Sequence, residues 1–123
     1  MPQPLAIFFY ERLMPGSQLV NRLQDLNYRV LTVNNIDLLA ATAKRESPIL
    51  LLVDLDSGAD VCGAIEKIKA DDASSHLPVI AFAPDNRSEL LIAAEAAGAN
   101  FTVGESALAG HLPQLVDRAL HVE

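Results

Sequence analysis

The chain has 123 residues, half of them hydrophobic and a fifth charged, a balance that fits one globular domain spanning 1–123 whose core needs no disulfide or structural metal. Sixteen acids against nine Lys and Arg leave a formal net charge of −7, and the basic residues do not cluster, which argues against a nucleic-acid surface. The single cysteine, Cys62, excludes an internal disulfide framework, and no apolar run approaches the roughly 18 residues of a membrane span, so a cytoplasmic protein with no membrane partner is expected.

Leu5 to Phe9 is apolar and aromatic throughout, with Pro4 as its entrance, and reads as a buried strand ending near Tyr10-Glu11. The loop Arg12-Leu13-Met14-Pro15-Gly16 follows, and Ser17 is placed to cap a helix to about Leu26, with Leu19, Val20, Leu23 and Leu26 at helical spacing. Tyr28 to Val33 is rich in β-branched and aromatic residues and predicts a second strand. Asn34-Asn35 then offers a turn and a cap for a helix over Ile36 to Arg45, which Ser47-Pro48 stops.

The run from Pro48 to Val53 is continuously apolar, ends in Asp54-Leu55-Asp56, and shows no alternation, as expected of a strand covered on both faces in a parallel sheet. After a loop over Asp56-Ser57-Gly58-Ala59-Asp60, Val61, Ile65 and Ile68 mark the inner face of a third helix. Asp71 to Leu77 is polar linker, Pro78 to Ala83 a fourth strand, Pro84-Asp85-Asn86 a turn, and Arg87 to Ala97 an alanine-rich helix closed by Gly98. Asn100 to Val103 is a short fifth strand. A last helix runs from Glu105, with Leu108, Leu112, Leu115, Val116 and Leu120 as its core stripe and an irregular start imposed by Gly110 and Pro113.

Strands and helices that alternate five times through short connections imply an α/β fold. The expectation is a flavodoxin-like three-layer sandwich with a five-stranded parallel sheet of order 2-1-3-4-5 and five helices. In that order strands one and three are neighbours, so Glu11, Asp54 and Asp56 meet at the carboxyl edge of the sheet, where open α/β folds place their chemistry. His76, His111 and His121 have no metal-ligand spacing and read as surface residues. No Ser-His-Asp or Cys-His set falls on elements that would bring it together. Met14-Pro15-Gly16-Ser17 lacks the glycine- or hydroxyl-rich pattern of a phosphate cradle, which leaves a flavin-binding protein as a minor alternative.

The order of elements, the aspartate closing strand three, Leu77-Pro78-Val79-Ile80-Ala81-Phe82-Ala83 and Ala96-Ala97-Gly98-Ala99-Asn100 together resemble a response-regulator receiver domain of the CheY-like kind, over essentially the whole chain. The resemblance implies a phosphoryl group accepted on Asp54, Mg²⁺ held by Glu11 and Asp54, and a histidine kinase or downstream effector as partner. It also implies a cation after strand five, a hydroxyl after strand four and an aromatic on strand five. At those positions the chain carries Glu105, Ala83 and Thr102, with Phe101 one place early and facing the other way, while the acidic pair after strand one has become Tyr10-Glu11.

These departures have an energetic consequence. A lysine replaced by a glutamate reverses an interaction of several kcal/mol at an effective dielectric of ~20, and the acids around Asp54 repel a phosphoryl group unless a cation intervenes. Arg12, the basic residue in the loop after strand one, is the candidate to swing over the pocket and pair with Asp54 or Asp56. The expectation is a pseudo-receiver: a stand-alone module that needs no cofactor, is not an enzyme, and acts by protein–protein interaction. In receivers the surface of helix four, strand five and helix five carries partner or homodimer contacts, so Leu90, Leu91, Phe101 and Leu108 are the residues to inspect for exposure. The alternative is a working phosphoacceptor that uses Asp54 and Mg²⁺.

Overall fold

The computed structural model describes residues 4–57 and 59–120, with residues 13–15 described by their backbone alone. Its centre is β3 (Leu50–Asp54), every residue of which is buried. Beside it run β1 (Leu5–Phe9) and β4 (Val79–Ala83), flanked in turn by the edge strands β2 (Arg29–Val33) and β5 (Phe101–Gly104). The five strands are parallel in the order β2-β1-β3-β4-β5. The burial follows this order. The three inner strands are almost wholly enclosed, whereas β2 and β5, each lacking one neighbour, are only partly covered.

Side chains leave each strand alternately to the two faces, and two cores result. On one face α1 (Leu13–Asp25) and α5 (Glu105–Leu120) cover Phe8, Leu50, Leu52, Ile80 and Phe82. On the other, α2 (Leu39–Glu46), α3 (Val61–Ala70) and α4 (Ser88–Ala97) cover Ile7, Phe9, Leu51, Val53 and Ala81. A 3₁₀ turn at Ile36–Leu38 leads into α2, and Asn35 caps it by accepting from the Asp37 N–H. Asp60 does the same for α3 through the Gly63 N–H. Gly98 closes α4 at φ 114°, a left-handed conformation that glycine adopts without a Cβ clash.

Two expectations about helix starts need correction. First, α1 begins at Leu13, so Leu13-Met14-Pro15-Gly16 is its first turn and Ser17 lies inside the helix rather than capping it. Proline is tolerated there because first-turn N–H groups have no intrahelical acceptor. Second, α5 starts regularly at Glu105, and the disturbance comes later, at His111 (φ −131°, ψ 26°), between Gly110 and Pro113. His76 and His111 are exposed, and Gly58 and His121 lie outside the described residues. Among the described residues no helix is long and apolar enough to cross a membrane.

Candidate functional site

Asp54 ends β3 opposite Phe82 of β4, at the carboxyl edge of the sheet, and is completely buried. A carboxylate with no access to water needs partners of its own, and Arg12 supplies them. Its Nε donates to Asp54 Oδ2 at 2.9 Å and its Nη2 to Oδ1 at 2.9 Å, a side-on fork in which both carboxylate oxygens are used. Oδ1 accepts a third bond from the Asp56 N–H at 3.0 Å. No buried polar side-chain atom among the described residues lacks a partner.

Arg12 reaches this position because it is the last residue before α1, in an extended conformation (φ −86°, ψ 123°) that sends its side chain across the sheet edge. It does not serve Asp54 alone. Nη2 also donates to Glu105 Oε1 at 3.1 Å, and Nη1 lies 3.5 Å from Asp56 Oδ2. One guanidinium thus sits among three carboxylates from β3, the loop after it and the start of α5. The hydrogen bond to Asp54 and the nearby carboxylates raise its pKa above the ordinary arginine value against some desolvation, so it is a permanent cation. Arg87 adds a weaker contact to Asp56 at 3.8 Å.

The other positions singled out in the sequence divide into those at the site and those beside it. Glu105 faces Arg12, as described. Glu11 is exposed and stands outside the ion-pair cluster. Tyr10 has become part of the core: its ring packs 4.8 Å from that of Phe8 and lies over α1, where a Cβ on Gly16 would come within 2.3 Å of it. That close approach fixes the helix start that holds Arg12 in place. Ala83 is fully buried among apolar side chains and offers no donor at the sheet edge. Thr102 is partly buried between Phe101 and Val103, both of which pack toward α1 and α5. The Arg118 guanidinium lies 5.6 Å from the centre of the Phe101 ring. Among the described residues no group of three or more His, Cys, Asp or Glu side chains is arranged to hold a metal ion, and Met14-Pro15-Gly16-Ser17 is helix rather than a loop that could cradle a flavin phosphate.

Of the four residues inspected for exposure, Leu108 is a correction: it is completely buried and belongs to the α1–α5 core. Leu90, Leu91 and Phe101 are half-buried against the two cores. The exposed apolar residue on this side is Ile92, 69% exposed on α4, on the outer face it shares with Ser88, Glu89 and Glu95.

No family model matches the chain, and no match is found among curated proteins. Solved structures do match. The receiver domain of the sensor histidine kinase PA1611 from Pseudomonas aeruginosa PAO1, described with a magnesium ion in its active-site cleft, superposes with a TM-score of 0.87 at 18% identity, covering 98% of this chain and 99% of that one. The fold is that of a receiver domain. The receiver domain of NtrX from Brucella abortus (TM-score 0.83, 20% identity, 96% and 99% covered) is similar, as is the BeF3-activated receiver domain of Klebsiella pneumoniae RstA (0.82, 16%, 96% and 99%). At these identities the likeness is one of fold, and the order 2-1-3-4-5 with five helices agrees with it.

Proposed function

We propose that this receiver-fold protein is a pseudo-receiver: a signalling module that works by binding a protein partner, histidine kinase or downstream effector, while phosphorylation of Asp54 is impaired. The observation that carries the reading is the Arg12 fork on Asp54. A phosphoacceptor must present a free carboxylate oxygen to the incoming phosphorus, and here both oxygens accept from the guanidinium in a position closed to water. Arg12 is already paired with Asp54, Asp56 and Glu105, and Ala83 has no hydroxyl, so neither is available to neutralise a transferring phosphoryl group.

The same geometry argues against Mg²⁺ at Glu11 and Asp54. Magnesium demands an octahedral oxygen shell that includes carboxylate, whereas the Asp54 oxygens are occupied, Glu11 is exposed outside the ion-pair set, and a fixed cation stands beside Asp54. The residues in this arrangement do not fit the ion.

The partner surface is supported by α4. Seven of its ten residues are Leu, Ile or Ala, yet within it Ala94 alone is fully buried, and Ile92 stands 69% exposed on its outer side. Homodimer or effector contacts through α4, β5 and α5 accord with this. The test is incubation with acetyl phosphate and Mg²⁺ followed by intact mass, with amide spectra recorded with and without beryllofluoride. An unchanged mass and unmoved resonances around Asp54 are expected. A stoichiometric gain of one phosphoryl group would establish the working phosphoacceptor instead.

A further inference from the structure

Arg12 does more than neutralise Asp54, because its Nη2 is shared between Asp54 and Glu105 and so ties the end of β3 to the first residue of α5. A second tie reaches the same turn from the opposite side. Asp85, in the loop after β4, accepts from the Ser106 N–H at 3.1 Å, and its other oxygen accepts from the Ser106 hydroxyl. Gly104 makes room for this, since a Cβ there would lie 2.6 Å from Asp85 Oδ1. Three connections at the carboxyl edge of the sheet therefore converge on residues 105–106.

That turn also needs external support. Pro113 has no N–H to donate to the carbonyl four residues earlier, and the backbone at His111 leaves helical geometry, so the first part of α5 is not braced by continuous hydrogen bonding to the part after the kink. Its buried anchor is Leu108, and Gly110 has open space around its Cα.

We infer that Arg12 and Asp85 form a two-sided clasp that holds the start of α5 against the ends of β3 and β4 in one arrangement, with the guanidinium making permanently the link from Asp54 to α5 that a phosphoryl group would make transiently. The inference rests on the reading of Asp54 as a carboxylate that does not accept phosphate, and it adds a regulatory content to it: the α4–α5 side is presented constantly, and its availability is set by the amount of protein rather than by a phosphodonor.

The test is native-state amide hydrogen exchange, read by NMR without any phosphodonor, on wild type, Glu105→Gln, Asp85→Asn and both together. Glu105→Gln keeps the Arg12 fork on Asp54, so the fold is retained. Each single variant is expected to speed exchange at residues 106–110 by about fivefold, and the double variant by about tenfold or more, with β3 amides unchanged. A uniform acceleration across the sheet, or no change at residues 106–110, would overturn the clasp. Uptake of phosphate by the wild type would end the functional reading but leave these exchange rates to decide the clasp separately.

Discussion

The pocket at Asp54 and the surface of α4 are built in opposite ways. In the pocket a buried carboxylate, two flanking acids and one guanidinium satisfy one another, and each side chain has a fixed partner. On α4 Leu90, Leu91, Ala94 and Ala97 turn toward the core with one alanine enclosed, while Ile92 stands exposed on the outer side among Ser88, Glu89 and Glu95. In the pocket charge is matched by charge, whereas the outer side of α4 leaves an isoleucine uncovered.

The largest expected effect breaks the pocket half of the comparison. Arg12→Ala leaves Asp54 buried without its charge partner, and removing one member of a buried pair costs roughly 3 kcal/mol, the low end of the usual range because Arg12 is 28% exposed. Urea unfolding should show a lower midpoint at unchanged slope. The same variant removes the guanidinium from both Asp54 oxygens, so calorimetry should detect tighter Mg²⁺ binding than in wild type. A variant as stable as wild type would mean that Arg12 is a surface residue with no hold on Asp54.

A smaller loss is expected at the other end of the comparison. Ala94 is the one fully buried residue of α4, and Ala94→Leu forces additional carbons between the helix and the sheet, at a cost of about 2 kcal/mol. Disturbance of α4 resonances with the Asp54 pocket unmoved would show that the two regions are structurally independent. Shifts in the Arg12 and Glu105 signals would show that they are coupled.

The fold was legible because each level agreed: the unbroken apolar runs at Leu50–Val53 and Val79–Ala83 are inner strands, and the turn residues Asn35, Asp60 and Gly98 cap or close the helices they flank. The departures at Tyr10, Ala83 and Glu105, and Arg12 as counter-ion to the acids around Asp54, could be located by counting along the chain. The contact of Glu105 with Arg12, and of Asp85 with Ser106, could not, since they join residues 93 and 21 positions apart through side chains that read as solvated turn residues. Leu108 was legible as a member of the α5 core stripe and is buried there, which removes it from the partner surface. Ile92 was not singled out, because it stands on the polar side of α4 beside Ser88, Glu89 and Glu95, where spacing marks no apolar stripe.

A smaller and local effect concerns pH. The two hydrogen bonds from Ser106 hold the Asp85 carboxyl below its ordinary pKa. A carboxyl group whose folded pKa is depressed stabilises the folded state above the unfolded value and loses that contribution as pH falls through the folded value. Exchange at residues 106–110 should therefore accelerate as pH drops below about 4, beyond the intrinsic pH dependence of amide exchange, and Asp85→Asn should remove that step while leaving the Asp71–Lys44 pair to titrate as before.

The smallest effect on stability is expected to have the clearest consequence for binding. Ile92→Lys replaces a side chain that is 69% exposed, so it forfeits little burial, and the folding midpoint should stay within about 0.5 kcal/mol of wild type. A lysine at the centre of a protein interface, by contrast, must be desolvated without a partner, and charged residues are depleted at such centres for that reason. If α4 is the contact surface, Ile92→Lys abolishes self-association in sedimentation, or capture of a purified partner kinase or effector, while the Arg12–Asp54 signals remain at their wild-type positions. Association that survives the substitution would move the interface off α4, and the apolar helix would then be explained by helix propensity alone, since alanine and leucine favour helix wherever they stand.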